Sequence, residues 1–199
     1  MERMTILKTL AIMTLAVMAV GCQPKQIQEN KKSLEEVKRE SKELMLQRIR
    51  TAPMVTYIDK DIPFRIMYPN VFNETRDSKF HFAEVILTCS DPQKFYSIEL
   101  HCIAFEEEEE LTNVEDMYRE VSKGIMPIQQ EIHDDSFCIK VAAPNNKCYF
   151  MKYVLASRHW VACRLGYPAE LDGDMDYMID LVKNWEPAYR DDINYTSRK

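Results

Sequence analysis

Glycine is scarce in this sequence, with only four residues in a chain of 199. They are Gly21, Gly124, Gly166 and Gly173, and they do not form a cluster. Phosphate-binding loops and the dinucleotide-binding fingerprint need several neighbouring glycines, because the backbone must approach a phosphate closely. The chain therefore lacks both of these nucleotide-binding motifs.

The sequence also lacks an excess of basic residues. Its 26 lysines and arginines are outnumbered by 32 acidic residues, and the formal net charge is -6. Binding to nucleic acid depends largely on the neutralisation of phosphates by lysine and arginine. We therefore expect no nucleic-acid partner.

Common catalytic and metal-binding motifs are missing as well. The chain contains no Cys-x-x-Cys, no His-Glu-x-x-His and no Gly-x-Ser-x-Gly sequence. His101 and Cys102 cannot form a dyad on a strand, because consecutive side chains point to opposite faces. His159 and Cys163 would share a face but lie about 13 Å apart along a strand. We predict no catalytic residue, no bound metal and no cofactor, and we expect a protein that is not an enzyme.

The first 22 residues have the pattern of an export signal with a lipid attachment site. Arg3 and Lys8 precede an apolar run, Thr9–Val20. The end of this run and the two residues after it read Ala19-Val20-Gly21-Cys22. This run is shorter than the roughly 20 apolar residues of a membrane-spanning helix. Its end resembles the lipobox of bacterial lipoproteins, which most often carry leucine where this chain has Ala19. The resemblance implies cleavage before Cys22 and acylation of its thiol.

Two other interpretations of this leader stay open. It could be a secretory signal cut at a small residue, with Cys22 an ordinary cysteine, or an uncleaved N-terminal anchor. An acylated Cys22 would hold the chain on membrane lipid, because several acyl chains exceed the two hydrophobic signals that stable anchoring needs. In lipoproteins of double-membraned bacteria, aspartate after the cysteine often marks the inner membrane, and this chain has Gln23 there. The resemblance thus implies the cell envelope, at the outer membrane and facing the periplasm.

An acylated Cys22 leaves an odd number of cysteines, which cannot all pair with one another. The remaining five are Cys89, Cys102, Cys138, Cys148 and Cys163. An exported protein could form one or two disulfides among them. The interpretation that we favour is that most are small buried hydrophobic residues.

The charged segment 28–50 has helical spacing. Its seam recurs at steps of three and four residues and consists of Leu34, Val37, Ser41, Leu44 and Arg48. Met45, Leu46 and Ile49 widen the apolar face near the end, so we predict a tether helix whose last turns dock on the domain. A homodimeric coiled coil through this helix is the alternative, although two imperfect heptads are few. Pro53 ends the helix.

The organisation that we predict has four parts: a signal peptide at 1–21, a lipidated tether with the charged helix at 22–53, a folded domain at 54–187 and a flexible tail at 188–199. Strands are predicted at 55–59, 62–68, 83–90, 94–105, 126–132, 137–142, 148–157 and 160–167. The turn at Asp91-Pro92-Gln93 joins two of them into a hairpin. Helices are predicted at about 112–122, opened by a Thr112-x-x-Glu115 capping box and ended by Gly124, and at about 171–185.

The strand at 148–157 is apolar on both faces, with Tyr149 and Met151 on one face and Phe150 and Val154 on the other. A strand of this kind needs one layer above it and one below. The fold class that we predict is α+β: a mostly antiparallel sheet flanked by helices.

Two acidic stretches invite a calcium site. Asp172-Gly173-Asp174-Met175-Asp176 begins like a calcium loop, but Tyr177 and Lys183 stand where that loop needs glycine and glutamate. We interpret these aspartates as caps of the following helix, where negative charge is favoured. The run Glu106–Glu110 could collect calcium or face a basic partner, and we interpret it as a solvated loop.

Two short motifs stand at the ends of predicted strands. One is Phe64-Arg65-Ile66-Met67-Tyr68-Pro69 at the end of an early strand; the other is Leu165-Gly166-Tyr167-Pro168, followed by an acidic helix that ends in Trp185-Glu186-Pro187. With the hairpin, the helix and the three-strand meander, 54–187 resembles the PsbP-like α/β/α sandwich proteins. Members of that superfamily serve as extrinsic assembly subunits or binding modules. The resemblance implies a non-enzyme and transfers no site residue.

We therefore expect a membrane-anchored bacterial lipoprotein that acts as a non-catalytic binding or assembly module, with an envelope protein as its partner. The alternative is an envelope hydrolase or a small-ligand-binding protein. It would use a cleft beside strand 94–105, where His101, Glu99 and a third polar group would meet.

Overall fold

A computed structural model of the chain describes residues 32–58, 65–75, 84–105, 113–156 and 159–187. Cys22 and the predicted signal peptide, the acidic run 106–110 and the predicted tail 188–199 lie outside the described residues. Almost all of the described residues, those from Leu34 onward, belong to one compact unit. Within the described ranges, no helix has both the length and the apolar character needed to cross a membrane.

Helix α1, Leu34–Thr51, belongs to the core through its second half. Ser41, Met45 and Ile49 are buried at steps of four residues and line one side of the helix. The prediction that the last turns dock on the domain is confirmed, since Met45 and Ile49 join the main hydrophobic core. The predicted seam is wrong, because Leu34 and Leu44 are exposed while Met45 faces inward.

A two-stranded antiparallel sheet follows α1. It consists of β1, Met54–Ile58, and β2, Arg65–Pro69. Ile66 is buried, and Tyr57, opposite Ile66 in the register, packs against the same main core. This small sheet therefore covers part of the core with one of its faces.

The main sheet has seven strands, and all of its strand pairs are antiparallel. They are β3 (Asn73–Thr75), β4 (Glu84–Ser90), β5 (Ser97–Ala104), β6 (Gln129–Ile132), β7 (Ser136–Ala143), β8 (Lys147–Ala156) and β9 (His159–Pro168). The strand order is β3-β4-β5-β9-β8-β7-β6, so the last strand lies between β5 and β8. The remaining elements are α2 (Val114–Val121), a 3₁₀ helix (Ala169–Asp174) and α3 (Asp176–Lys183). The predicted α+β class is confirmed.

The two faces of the main sheet carry separate hydrophobic clusters. In β8, Phe150 and Val154 belong to the main core, which also contains residues of α1 and α3. Met151 and Tyr153 belong to the second cluster, which contains Val114 and Met117 of α2. Helices thus cover both faces, as the two-sided apolar pattern of this strand predicts.

Two predicted strands differ from the observed ones, and one observed strand has no predicted counterpart. β5 begins at Ser97, because the buried carboxylate of Asp91 accepts hydrogen bonds from the backbone amides of Gln93 (2.9 Å) and Tyr96 (2.6 Å) and closes a longer loop. Of the predicted strand 126–132, only Gln129–Ile132 forms a strand, which is β6, and Met126 lies outside it. β3 was not predicted, because three residues carry too little periodicity.

Helix α2 begins one residue later than the predicted capping box implies. Its N-cap is Asn113, whose Oδ1 accepts a hydrogen bond from the backbone amide of Asp116 (2.9 Å). Asparagine is a strongly preferred N-cap residue, and Thr112 of the predicted box lies outside the described residues. Gly124, at φ 74°, follows the end of the helix as predicted.

The predicted helix 171–185 is wrong as a single element, because it is divided into the 3₁₀ helix and α3. Gly173 lies near the division and has a low helix propensity. Lys152 Nζ donates to the carbonyl oxygens of Lys183 (2.9 Å) and Trp185 (2.6 Å). This lysine therefore satisfies carbonyls that the end of a helix leaves unpaired.

Candidate functional site

A polar cluster lies on the face of the main sheet that also carries α2, and it involves β5, β8 and β9. We call it the Arg164 cluster, and it consists of Glu99, His101, Lys147, Tyr149 and Arg164. His101 stands directly opposite Arg164, and Gly166 stands between Glu99 and Tyr149 in the register. This is the region in which the alternative function would place a cleft beside strand 94–105.

His101 and Arg164 form the centre of this cluster. Arg164 donates a hydrogen bond to Nδ1 of His101 and also lies over the ring of Tyr149, with its Cζ atom 5.3 Å from the ring centroid. Burial, followed by the charge of Arg164, lowers the pKa of His101 from 6.5 to about 4. The imidazole is therefore neutral near pH 7 and accepts at Nδ1.

This state of His101 decides what the site can do chemically. A general base works best when its pKa is close to the operating pH. With a pKa of about 4, His101 is a weak base near pH 7. Arg164 and Tyr149, which are both half-buried, lie beside it on the same face of the sheet.

Gly166 allows the close approach of Tyr149 to β9. A Cβ atom at this position would lie 2.9 Å from Tyr149 Cε1, which is shorter than an ordinary van der Waals contact. Next to it, Lys147 Nζ lies 3.5 Å from Glu99 Oε1. The glycine of the Leu165-Gly166-Tyr167-Pro168 motif thus has a packing role inside the Arg164 cluster.

The structure brings Glu99 and His101 to the same face but gives them different partners. Glu99 pairs with Lys147, whereas His101 pairs with Arg164. Sequence reasoning did not identify Arg164 as the third polar group. The available signal was an arginine on the outward side of an otherwise apolar strand.

Asp172 does not cap a helix, so that prediction is wrong. Its Oδ1 atom lies 2.7 Å from Lys140 Nζ and accepts a hydrogen bond from the hydroxyl of Tyr167 at 2.7 Å. No side-chain capping bond starts either the 3₁₀ helix or α3. Burial acts to raise the pKa of Asp172, but the bonds from Lys140 and Tyr167 prevail, and its pKa lies below the ordinary value.

Asp174 is also engaged elsewhere, because its carboxylate lies 2.7 Å from Lys42 Nζ of α1. Among the residues that the structure describes, no group of three or more histidine, cysteine, aspartate or glutamate side chains could hold a metal ion. The acidic run 106–110 lies outside those residues.

Two open grooves lie away from the Arg164 cluster. One, of about 220 Å³, lies between β2 and the end of α3 and is lined by residues that include Arg65, Met67 and Trp185. The other, of about 470 Å³, runs along α1 and is lined by residues that include Arg50 and Asp174. Neither groove lies beside β5, where the alternative function would place its cleft.

An apolar surface lies along the chain that leads into β6, an end strand of the sheet. We call this surface the β6 edge. Its exposed apolar residues are Ile125 (40%), Met126 (91%), Ile128 (60%) and Ile132 (47%).

The β6 edge is held in place from both faces of the sheet. The hydroxyl of Tyr118 in α2 donates to Gln130 Oε1, and Lys183 Nζ in α3 lies 2.7 Å from Glu131 Oε1. The backbone amide of Ile128 donates to the carbonyl of Lys140 (2.7 Å), which continues the pairing with β7. The exposed apolar side chains therefore project from a fixed scaffold.

No protein-family model matches the chain, and no curated protein matches it. Among solved structures, the fold is similar to the solution structure of cyanobacterial PsbP (CyanoP) from Synechocystis sp. PCC 6803, with a TM-score of 0.48 and 13% sequence identity. The similarity covers 66% of this chain and 90% of that protein. A likeness at this sequence identity concerns the fold alone.

Proposed function

We propose that this chain is a lipid-anchored bacterial lipoprotein whose domain is a non-catalytic binding or assembly module in the cell envelope. The leader supports the anchor, because its apolar run ends in a lipobox-like sequence at Cys22. Gln23 supports an outer-membrane position facing the periplasm. The partner would be another envelope protein.

The observation that carries the binding role is the exposure of the β6 edge. Met126 leaves 91% of its surface in contact with solvent, between two isoleucines that are also exposed. Contiguous apolar side chains on a surface mark interaction sites more often than isolated ones do. Methionine suits such a contact because its flexible, polarizable side chain adapts to a partner surface.

The position of β6 in the sheet adds a second means of recognition. A strand at the end of a sheet presents backbone donors and acceptors to which another strand can pair. Alternate side chains of the added strand would face one side of the sheet and give the contact its specificity. Ile128 and Ile132 would contact those side chains. The proposed contact therefore combines backbone pairing with a short apolar surface.

The binding role can be tested by crosslinking in membranes that carry the protein with Cys22 intact. A photo-crosslinking residue at position 126 should capture one envelope protein reproducibly, and Met126→Asp should abolish its co-purification. Met67→Asp is the matched control, because Met67 is also exposed but lies in β2. Equal recovery with Met126→Asp, or repeated recovery of nothing with the unaltered chain, would contradict the role.

The anchor can be tested separately by mass spectrometry and fractionation. The mature chain should begin at an acylated Cys22 and sediment with membranes, whereas Cys22→Ser should lose the acyl groups and its membrane retention. An unmodified thiol at Cys22, or the mature chain in the cytosol, would overturn this part of the proposal.

A further inference from the structure

Cys102 and Cys163 stand directly opposite each other on the antiparallel strands β5 and β9, although they are 61 residues apart in the sequence. Their sulfur atoms are 3.9 Å apart, and both residues are buried. We infer that a disulfide joins Cys102 to Cys163 when the chain folds in an oxidising compartment, while Cys89, Cys138 and Cys148 remain thiols. This inference rests on the export that we propose.

The backbone geometry suits the bond. Residues directly opposite each other in an antiparallel pair have Cα atoms about 4.5 to 5.5 Å apart. A disulfide accommodates Cα separations of about 4.4 to 6.8 Å and brings the two sulfur atoms to about 2.05 Å. The sulfur atoms of Cys102 and Cys163 must therefore approach from 3.9 Å by side-chain rotation, without a change of strand register.

The same register excludes the other pairings. Cys89 stands opposite Ile98, which is four residues, or about 13 Å, from Cys102 along β5. Cys148 stands opposite Tyr167, which is four residues from Cys163 along β9. Both separations far exceed the Cα distance of about 7 Å that a disulfide can span.

Cys138 is excluded by the strand that separates it from Cys163. Lys152 of β8 stands opposite Cys138 on one side and opposite Cys163 on the other. Two strand spacings place Cys138 and Cys163 about 9.5 Å apart. Cys148 stands opposite Ala142, which is four residues from Cys138 along β7. The remaining cysteine pairs lie at least two strand spacings apart. Cys102 and Cys163 are thus the one pair of described cysteines whose positions in the sheet permit a bond.

The bond has to form before the sheet closes. Cys102 and Cys163 are 2% and 0% exposed, on strands that have neighbours on both sides. Burial, followed by the neighbouring Cys163, raises the pKa of Cys102, and the thiolate is the reactive form. The folded, reduced protein should therefore resist oxidation.

The reaction needs a disulfide oxidant, either a protein dithiol oxidase in its disulfide form or oxidised glutathione. The thiolate of one cysteine attacks the oxidant and displaces one of its sulfurs as a thiol, which leaves a mixed disulfide. The second cysteine then attacks its partner's sulfur and releases the other half of the oxidant. Two thiols of the chain are oxidised, two thiols of the oxidant are formed, and the two protons pass to these.

The inference can be tested without export. The full chain carrying Cys22→Ser, which removes the sixth thiol, is unfolded, reduced and refolded with oxidised glutathione. We expect a loss of about 2 Da and a Cys102–Cys163 peptide pair in a non-reduced digest. Cys102→Ser and Cys163→Ser should each abolish the loss, whereas Cys89→Ser should retain it, and circular dichroism establishes that each variant folds.

Five free thiols after this refolding, or a bond between any other pair, would overturn the inference. As a second measurement, the chain refolded under reducing conditions and then given the same oxidant should react roughly tenfold or more slowly than the unfolded chain. Equal rates would contradict the requirement that the bond forms before the sheet closes.

Alkylation of the chain recovered from cells then separates this inference from the proposed function. A membrane-bound chain with acylated Cys22 and five alkylated thiols would refute the disulfide and leave the anchor intact. A cytosolic chain with an unmodified Cys22 would refute the anchor, and the refolding experiment would still decide whether Cys102 and Cys163 pair.

Discussion

Arg164 donates a hydrogen bond to the Nδ1 atom of His101, and the two residues face each other across β9 and β5. This contact places a neutral imidazole beside a permanent positive charge in a buried position. Protonation of His101 would break the hydrogen bond and set two cations against each other. The stability of the fold should therefore depend on pH through this one pair.

The first prediction concerns that dependence. In the unfolded chain His101 takes up a proton near pH 6.5, but in the folded chain its pKa is about 4. Between these values the unfolded state binds more protons, so the stability contributed above pH 6.5 is lost as pH falls towards 4. The loss is on the order of 2 to 3 kcal/mol, and urea unfolding from pH 7.5 to pH 4.5 measures it.

His101→Gln should flatten this part of the profile. His133→Gln is the control for the replacement of a histidine, because His133 is exposed. Parallel profiles for His101→Gln and the unaltered protein would contradict the assignment.

The second prediction compares two neighbours on α1. Met45 is fully buried in the main core, whereas Leu44 is 48% exposed. Met45→Ala should lower the free energy of unfolding by about 2 to 5 kcal/mol, because it leaves a cavity. Leu44→Ala should change it by about 0.5 kcal/mol or less. Equal, small effects in chemical denaturation would mean that α1 is a tether outside the core.

The third prediction concerns the hydroxyl of Tyr167. Its ring is fully buried, and its hydroxyl donates to Asp172 at 2.7 Å. Tyr167→Phe keeps the ring and removes one hydrogen bond, so it should cost about 1 to 2 kcal/mol at pH 7. The exposed Tyr177 offers the matched change Tyr177→Phe, which should be nearly neutral in thermal unfolding.

A pH series extends this test. The pKa of Asp172 is lowered in the folded chain, so the stability that its carboxylate contributes is present above its ordinary pKa of 3.8 and is lost as pH falls below that value. The cost of Tyr167→Phe should therefore shrink in strongly acidic solution. A cost that stays constant down to the acid transition would argue against an ionised partner.

The fourth prediction uses two glycines. A methyl group at Gly166 would meet the ring of Tyr149 at 2.9 Å, whereas one at Gly173 would meet no atom within 4 Å. Gly166→Ala should destabilise the fold by about 1 to 3 kcal/mol, because it displaces the ring from its place beside Arg164. Gly173→Ala should be neutral or slightly stabilising.

Rescue distinguishes crowding from a backbone effect. In the Tyr149→Ala background, Gly166→Ala should lower the free energy of unfolding much less than it does in the unaltered chain. If Gly166→Ala costs as much in the Tyr149→Ala background as in the unaltered chain, the ring is not the cause.

Local patterns in the sequence predicted the elements whose neighbours in the chain are also their neighbours in space. The predicted ends of β7, β8 and β9 agree with the observed ends to within one residue. They do so because long apolar runs are joined there by short turns. Errors arose where two local signals competed, as Thr112 and Asn113 did for the start of α2. They also arose where a side chain reorganised a loop, as Asp91 does before β5.

The candidate site could be predicted only in part for a related reason. Glu99 and His101 were identified because they alternate with apolar residues on one strand. Their partners Lys147 and Arg164 come from strands that lie far away in the sequence.

The sequence alone determined the alternation of strands and helices, the α+β class, the two-sided burial of β8 and the leader pattern that ends at Cys22. Each of these depends on residues within one element or one turn. Only the tertiary structure decided that Met45 rather than Leu44 faces the core, that Asp172 binds Lys140, and that Cys102 lies opposite Cys163. Each of these contacts joins residues that are distant in the sequence, and the Cys102–Cys163 register follows from the insertion of β9 between β5 and β8. The packing of the whole sheet against its helices sets them, and no local pattern does.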